Sequence, residues 1–102
     1  MIIFEYAYWG EEIVVREVEC EKCDDMYIGV GVAVYEHKLG TLIGSLNVYL
    51  MYLIKRDDMK FARALVSRIS DELLVCIKRA NKLNHSIEQH FKNKDGVPDE
   101  KV

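Results

Sequence analysis

At 102 residues and 50% apolar side chains, the chain has material for one globular domain burying roughly two-thirds of its unfolded surface, and not for two independent cores. Its longest apolar run, Leu42 to Ile54, contains Ser45 and Asn47 and falls short of the about 18 residues of a membrane span, so it belongs in a core and no membrane association is expected. The start Met1-Ile2-Ile3-Phe4-Glu5 carries no basic leader, and three cysteines are an odd number for a disulfide scaffold, so an intracellular, soluble protein is expected.

The net charge of −3 conceals a division: residues 1–40 hold nine acids against three bases, residues 55–94 ten bases against five acids. The two halves either neutralise each other within a dimer, the plainer reading, or form a docking surface for an acidic partner.

In chain order, Ile2 to Trp9 alternates and is rich in β-branched and aromatic residues, then meets Gly10-Glu11-Glu12 before a second such run, Ile13 to Cys20. That is the pattern of a β-hairpin. Cys20 to Asp25 reads as a polar connection into a third strand, Met26 to Glu36. There alternation puts Ile28, Val30, Val32 and Val34 on a core face, and Tyr27, Gly29, Gly31, Ala33 and Tyr35 on a shallow face walled by tyrosines.

His37-Lys38-Leu39-Gly40 reads as a turn, because Gly40 tolerates the positive φ of a short loop. Thr41 to Ile54 fits a strand by alternation and a helix by the spacing of Leu42, Leu46, Leu50 and Leu53; the preceding turn and Gly44-Ser45 favour the strand.

Asp57 or Asp58 then caps a helix running to Phe91, with apolar residues at Ala62, Val66, Ile69, Leu73, Cys76, Ala80, Leu83 and Ile87. Steps alternating between four and three residues form a heptad seam committed to a partner. Ser70-Asp71-Glu72 and Ser86-x-x-Gln89 resemble helix starts, but the seam keeps its register through both, which predicts a continuous or merely kinked helix. Such a helix is about 51 Å long, against about 33 Å across for a domain of this size. Its first half is expected to pack on its own sheet, and its far end, Leu83, Ile87 and Phe91, to overhang and meet a second copy. Asp95-Gly96-Val97-Pro98 ends it.

Cys20-x-x-Cys23 is the most specific motif, since two thiolates in a tight turn can grip one zinc ion. The remaining two ligands are missing: His37 is alone, Cys76 is on the seam, and His85 and His90 are about 140° apart round a helix. Plain turn cysteines are the default, with a metal or redox module at Cys20 and Cys23 as an alternative. Gly29-Val30-Gly31 lacks the third glycine of a dinucleotide loop, and no P-loop, G-x-S-x-G or H-E-x-x-H pattern occurs. No cofactor and no enzymatic activity are expected. Aromatic residues on a sheet raise single-strand nucleic-acid binding, but the sheet half is acidic. Arg63, Arg68, Lys78, Arg79 and Lys82 on the helix offer a second, weak route to nucleic acid.

The sequence thus predicts an α+β domain over residues 1–94, followed by a polar tail at 95–102. Its architecture is a four-stranded antiparallel β-meander, three-stranded if 41–54 is helical, and a long C-terminal helix. One helix covers one face of such a sheet, which leaves Tyr27, Gly29, Gly31, Ala33, Tyr35 and Tyr49 as a surface for a peptide or partner protein. A homodimeric, non-enzymatic interaction module is the function these features favour; a nucleic-acid-binding regulator is the alternative.

Overall fold

The computed structural model describes residues 1–94. The elements are β1 (Ile2–Trp9), β2 (Ile13–Cys23), β3 (Met26–Gly29), β4 (Val32–Tyr35), a 3-10 turn at Glu36–Lys38, β5 (Ile43–Ser45), β6 (Val48–Leu53) and α1 (Asp58–Lys94). All strand pairs are antiparallel, in one sheet of order β4-β3-β2-β1-β6-β5. The class is α+β with a long C-terminal helix, but the sheet has six strands rather than four. The tail expected at 95–102 and the stop at Asp95-Gly96-Val97-Pro98 lie outside the described residues.

Both extra strands arise because an apparently continuous run folds back on itself. Residues 26–36 turn at Val30-Gly31, where Gly31 takes φ +74, a conformation that costs glycine nothing. Tyr27 then pairs with Val34, and Ile28 with Ala33. Residues 41–54 are strand, not helix, and turn at Leu46-Asn47, pairing Ser45 with Val48. The sheet is also not a meander. After β4 the chain crosses to the opposite edge, where Leu39 bridges to Tyr52 and the Gly40 N–H donates to the Tyr52 carbonyl at 2.8 Å. The β5–β6 hairpin is thereby added on the far side of β1.

Directly paired residues share a face of a sheet, and each face here has its own core. On one face Phe4, Tyr6 and Tyr8 lie opposite Leu53, Met51 and Tyr49, and Phe61 and Leu65 of α1 close over them. The Tyr6 and Phe61 rings stack with centroids 5.4 Å apart. On the other face Ile3 and Val18 lie opposite each other, and the curl of the sheet brings Tyr27 and Val34 down on them with Cys20, while Leu39 and Tyr52 pack at the margin. Four strands and one helix could not cover both faces; a six-stranded sheet that curls covers part of the second with its own edge hairpin.

Asp57 starts α1: its side chain accepts from the Lys60 N–H at 3.0 Å, while its own N–H donates to the Tyr6 hydroxyl at 2.7 Å. The cap is therefore tied to the core it leads into. The helix is unbroken through Ser70-Asp71-Glu72 and Ser86. By compactness the chain divides inside it, into Met1–Ile69 and Ser70–Val102. Among the described residues no helix is long and apolar enough to cross a membrane.

The contact between helix and sheet differs from the expected one. The side chains buried on the sheet are Phe61 and Leu65, neither of them in the seam, whereas Val66 is 64% exposed. At about 100° per residue, Val66 is a quarter-turn or more away from both. The sheet thus takes the side of α1 that carries Phe61 and Leu65, with Ile69 of the seam packed at the core's margin, while Val66 of the seam faces away.

Candidate interaction surfaces

From Ser70 to Asn93 every side chain except the half-buried Glu72 is exposed. Leu73, Ile77, Leu83, Ile87 and Phe91 are each more than half exposed. Placed at about 100° per residue, these five fall with Cys76, Ala80 and Asn84 in an arc about 120° wide, the breadth of a buried helical face. The predicted contact residues Leu83, Ile87 and Phe91 do share one face. Leu74 and Val75 are exposed outside it. Lys78, Lys82 and His85 occupy the opposite side, with Asp71 among them. A helix polar on one side and uncovered on its apolar side is poorly stable alone.

A second apolar surface is on the sheet face turned away from α1. Ala7 lies between Val14 and Leu50, Leu50 is followed by Ile43, and the next row holds Trp9 and Val48. Ala7 is buried, whereas Val14, Ile43 and Val48 are exposed and Trp9 is 60% exposed. A polar row separates this patch from the core beside it. Glu5 lies between Arg16 and Tyr52 in the register, accepts from Arg16 Nε at 3.0 Å and accepts from the Tyr52 hydroxyl at 2.8 Å. Burial, and then the Glu5 carboxylate, push the Tyr52 phenol up to about 12.

The tyrosine-walled face does not exist as one surface. The turn at Val30-Gly31 changes the parity of the strand, so that Tyr27 enters the core with Val34. Tyr49 is fully buried in the other core. Gly29 lies under Val18, where an added Cβ would stand 2.7 Å from Val18 Cγ1, and Gly31 is in the turn. Of the six predicted residues only Ala33 and Tyr35 are exposed on one face. The predicted core residues shift for the same reason: Val34 is buried, Ile28 is exposed, and Val30 at the turn is 98% exposed.

Cys20 and Cys23 do not converge. They lie on β2 rather than in a turn, opposite Gly29 and Met26 respectively, and the turn follows at Asp24-Asp25, where Asp24 has φ +55. Three residues apart on a strand means opposite faces and about 10 Å of separation. That spacing suits neither a shared metal nor a disulfide. Cys20 is buried, while Cys23 and Cys76 are exposed. Among the described residues no group of three or more His, Cys, Asp or Glu could hold a metal ion.

Arg63, Arg68, Lys78, Arg79 and Lys82 are all exposed on α1, but Arg63 and Arg68 are about 140° apart around it. The five do not make one basic stripe. Neither family models, nor curated proteins, nor solved structures match this chain.

The surface that sequence reasoning missed is the one around Trp9. Its signal lay in β1, where Glu5, Ala7 and Trp9 alternate with Phe4, Tyr6 and Tyr8. Two such sets cannot both face one helix, and the set with the acid is the one left open.

Proposed function

We propose that this protein is a non-enzymatic interaction module that works as a homodimer, with the apolar stripe of α1 from Leu73 to Phe91 as its joining element. The observation that carries this reading is that Leu73, Ile77, Leu83, Ile87 and Phe91 are each more than half exposed on one side of the helix, although Phe61 and Leu65 already anchor its start to the sheet. Burying the exposed half of a Val, Leu, Ile or Phe side chain contributes about 1 kcal/mol. Leu73, Ile77, Leu83, Ile87 and Phe91 from two copies therefore supply roughly 10 kcal/mol gross. Against an association cost of about 4 kcal/mol at the low end, about 6 kcal/mol remains, a dissociation constant in the tens of micromolar.

Sedimentation at about 100 µM tests it. The wild-type chain sediments as a dimer, and the Leu83→Glu, Ile87→Glu double variant as a monomer whose near-ultraviolet circular dichroism, carried by the buried Tyr6, Tyr27 and Tyr49, is unchanged, because carboxylates cannot be buried in an apolar contact without a partner charge. A monomeric wild type across the whole concentration range refutes the reading.

A further inference from the structure

We infer that the outer edge of β2 over residues 13–19 is a docking site for an extended, basic segment of another protein, which joins the sheet as a further antiparallel strand beside β2 and in line with β3. The site lies within Met1–Ile69 and does not rest on the pairing of α1. β2 is covered unequally on its two sides. On one it pairs with β1 over residues 13–19; on the other β3 reaches only residues 20–23, because the chain turns back at Val30-Gly31. Which backbone groups this leaves open follows from the end of the β1–β2 ladder, where the Cys20 N–H donates to the Met1 carbonyl at 2.8 Å and the Cys20 carbonyl accepts from the Met1 amine at 3.0 Å. Cys20 turns both groups to β1, and by alternation so do Val18, Arg16 and Val14. The N–H and C=O of Ile13, Val15, Glu17 and Glu19 point the other way, where no strand pairs with them among the described residues. A row of unpaired donors and acceptors is a template for an added strand.

Side chains decide which strand fits. The residues that turn their backbone outward share one face of β2, and Glu17, Glu19 and Glu21 follow one another along it, all exposed. Glu19 takes the Met1 amine at 3.5 Å, whereas Glu17 and Glu21 have no ion pair among the described residues. On the other face Val14 is exposed and begins the apolar row continued by Ala7, Leu50 and Ile43. A strand that alternates lysine or arginine with β-branched residues answers both sets at once: its bases lie opposite and diagonal to Glu17, and its apolar side chains extend the row at Val14. Where β3 leaves β2, Glu19, Glu21, Ile28 and Val30 line a recess that takes the last basic side chain of such a strand. A second copy of β2 does not fit, because the positions that would face Glu17 in an antiparallel pair, the odd-numbered residues from Ile13 to Cys23, include no base. The carboxylates thus select against self-pairing and for a basic partner.

Amide exchange followed by nuclear magnetic resonance at low salt, with the capped peptide Lys-Val-Lys-Val-Lys-Val as probe, tests this. In the free chain the amides of Val15 and Glu17 exchange fast and those of Val14, Arg16 and Val18 slowly. Saturating peptide slows Val15 and Glu17 by about tenfold or more. The same peptide N-methylated at its lysines keeps its charge but loses the donors that face β2, and does not bind. Glu17→Lys weakens binding of the unmethylated peptide by about tenfold, with near-ultraviolet circular dichroism unchanged because Glu17 is exposed. Binding that survives N-methylation, or that leaves the Val15 and Glu17 amides fast, is charge attraction without strand addition and overturns the proposal. No binding at millimolar peptide overturns it as well. Val15 and Glu17 amides already slow in the free chain would show the edge covered by a second copy, which excludes the basic partner; none of these outcomes bears on the pairing of α1, which sedimentation decides separately.

Discussion

Replacing Phe61 and Val66 separately by alanine tests which side of α1 packs on the sheet. Phe61 is 1% exposed, stacked on Tyr6 among Tyr49, Met51, Leu53 and Leu65. Removing it costs both its transfer free energy and the cavity left behind, about 3–5 kcal/mol. A unit the size of Met1–Ile69 has a stability of roughly 3–10 kcal/mol at 0.05–0.15 kcal/mol per residue, so Phe61→Ala consumes about a third of it or more. Val66 is 64% exposed; Val66→Ala removes methyl groups already in water and costs less than about 0.5 kcal/mol, and the higher helix propensity of alanine offsets part of that. Urea unfolding followed by far-ultraviolet circular dichroism reads the difference. At a few micromolar, where the pair is dissociated, Phe61→Ala lowers the midpoint by about 1–5 M for a slope of about 1–3 kcal/mol per molar, and Val66→Ala leaves it in place. Equal losses for the two variants at low concentration would mean that the seam, not Phe61 and Leu65, packs on the sheet.

Three further outcomes are expected. Gly44→Ala detaches the β5–β6 hairpin, because Gly44 has φ +128 and an added Cβ would stand 2.0 Å from the Val48 carbonyl oxygen; melting temperature falls by more than for Gly10→Ala, where nothing lies within 4 Å of the new Cβ. Tyr52 holds its proton to about 12 in the fold and to about 10 in the unfolded chain. The stability this represents is therefore complete below about pH 10 and is lost as pH rises toward 12, so Tyr52→Phe flattens the fall in melting temperature over that window. Aromatic thiol reagents modify Cys23 and Cys76 in the native protein and reach Cys20 only after unfolding, because Cys20 is 4% exposed; three fast thiols would contradict the core described on the outer sheet face.

How much of this was legible depends on the length of each pattern. The helix and its seam repeat over many turns, so their existence, continuity and uncovered far end could be read from spacing. The sheet-facing stripe could not, since Phe61 and Leu65 are only two residues one turn apart. The run Met26 to Tyr35 misled because period-two alternation looks the same whether a strand continues or folds back. The turn's only mark was Gly31, while Val30, a β-branched residue, argues against a turn by composition. That single misplacement moved Tyr27 from surface to core and dissolved the predicted tyrosine face. Cys20-x-x-Cys23 misled similarly, because a motif's meaning depends on whether its backbone turns between the cysteines, and β2 runs straight through them. The crossing from β4 to the far edge of the sheet rests on contacts such as Leu39 with Tyr52, which no local pattern encodes.

Trp9 is the chain's single tryptophan, and it stands in water at the open end of the sheet. Its emission in the native protein is accordingly red-shifted, close to that of the unfolded chain, and a denaturation followed by tryptophan fluorescence will report little even when unfolding is complete. The buried Tyr6, Tyr27 and Tyr49 carry the near-ultraviolet dichroism instead. The same indole is a background-free probe of its own surroundings: a blue shift on adding any other molecule marks occupation of the patch formed with Val14, Ile43 and Val48, without labelling the protein at all.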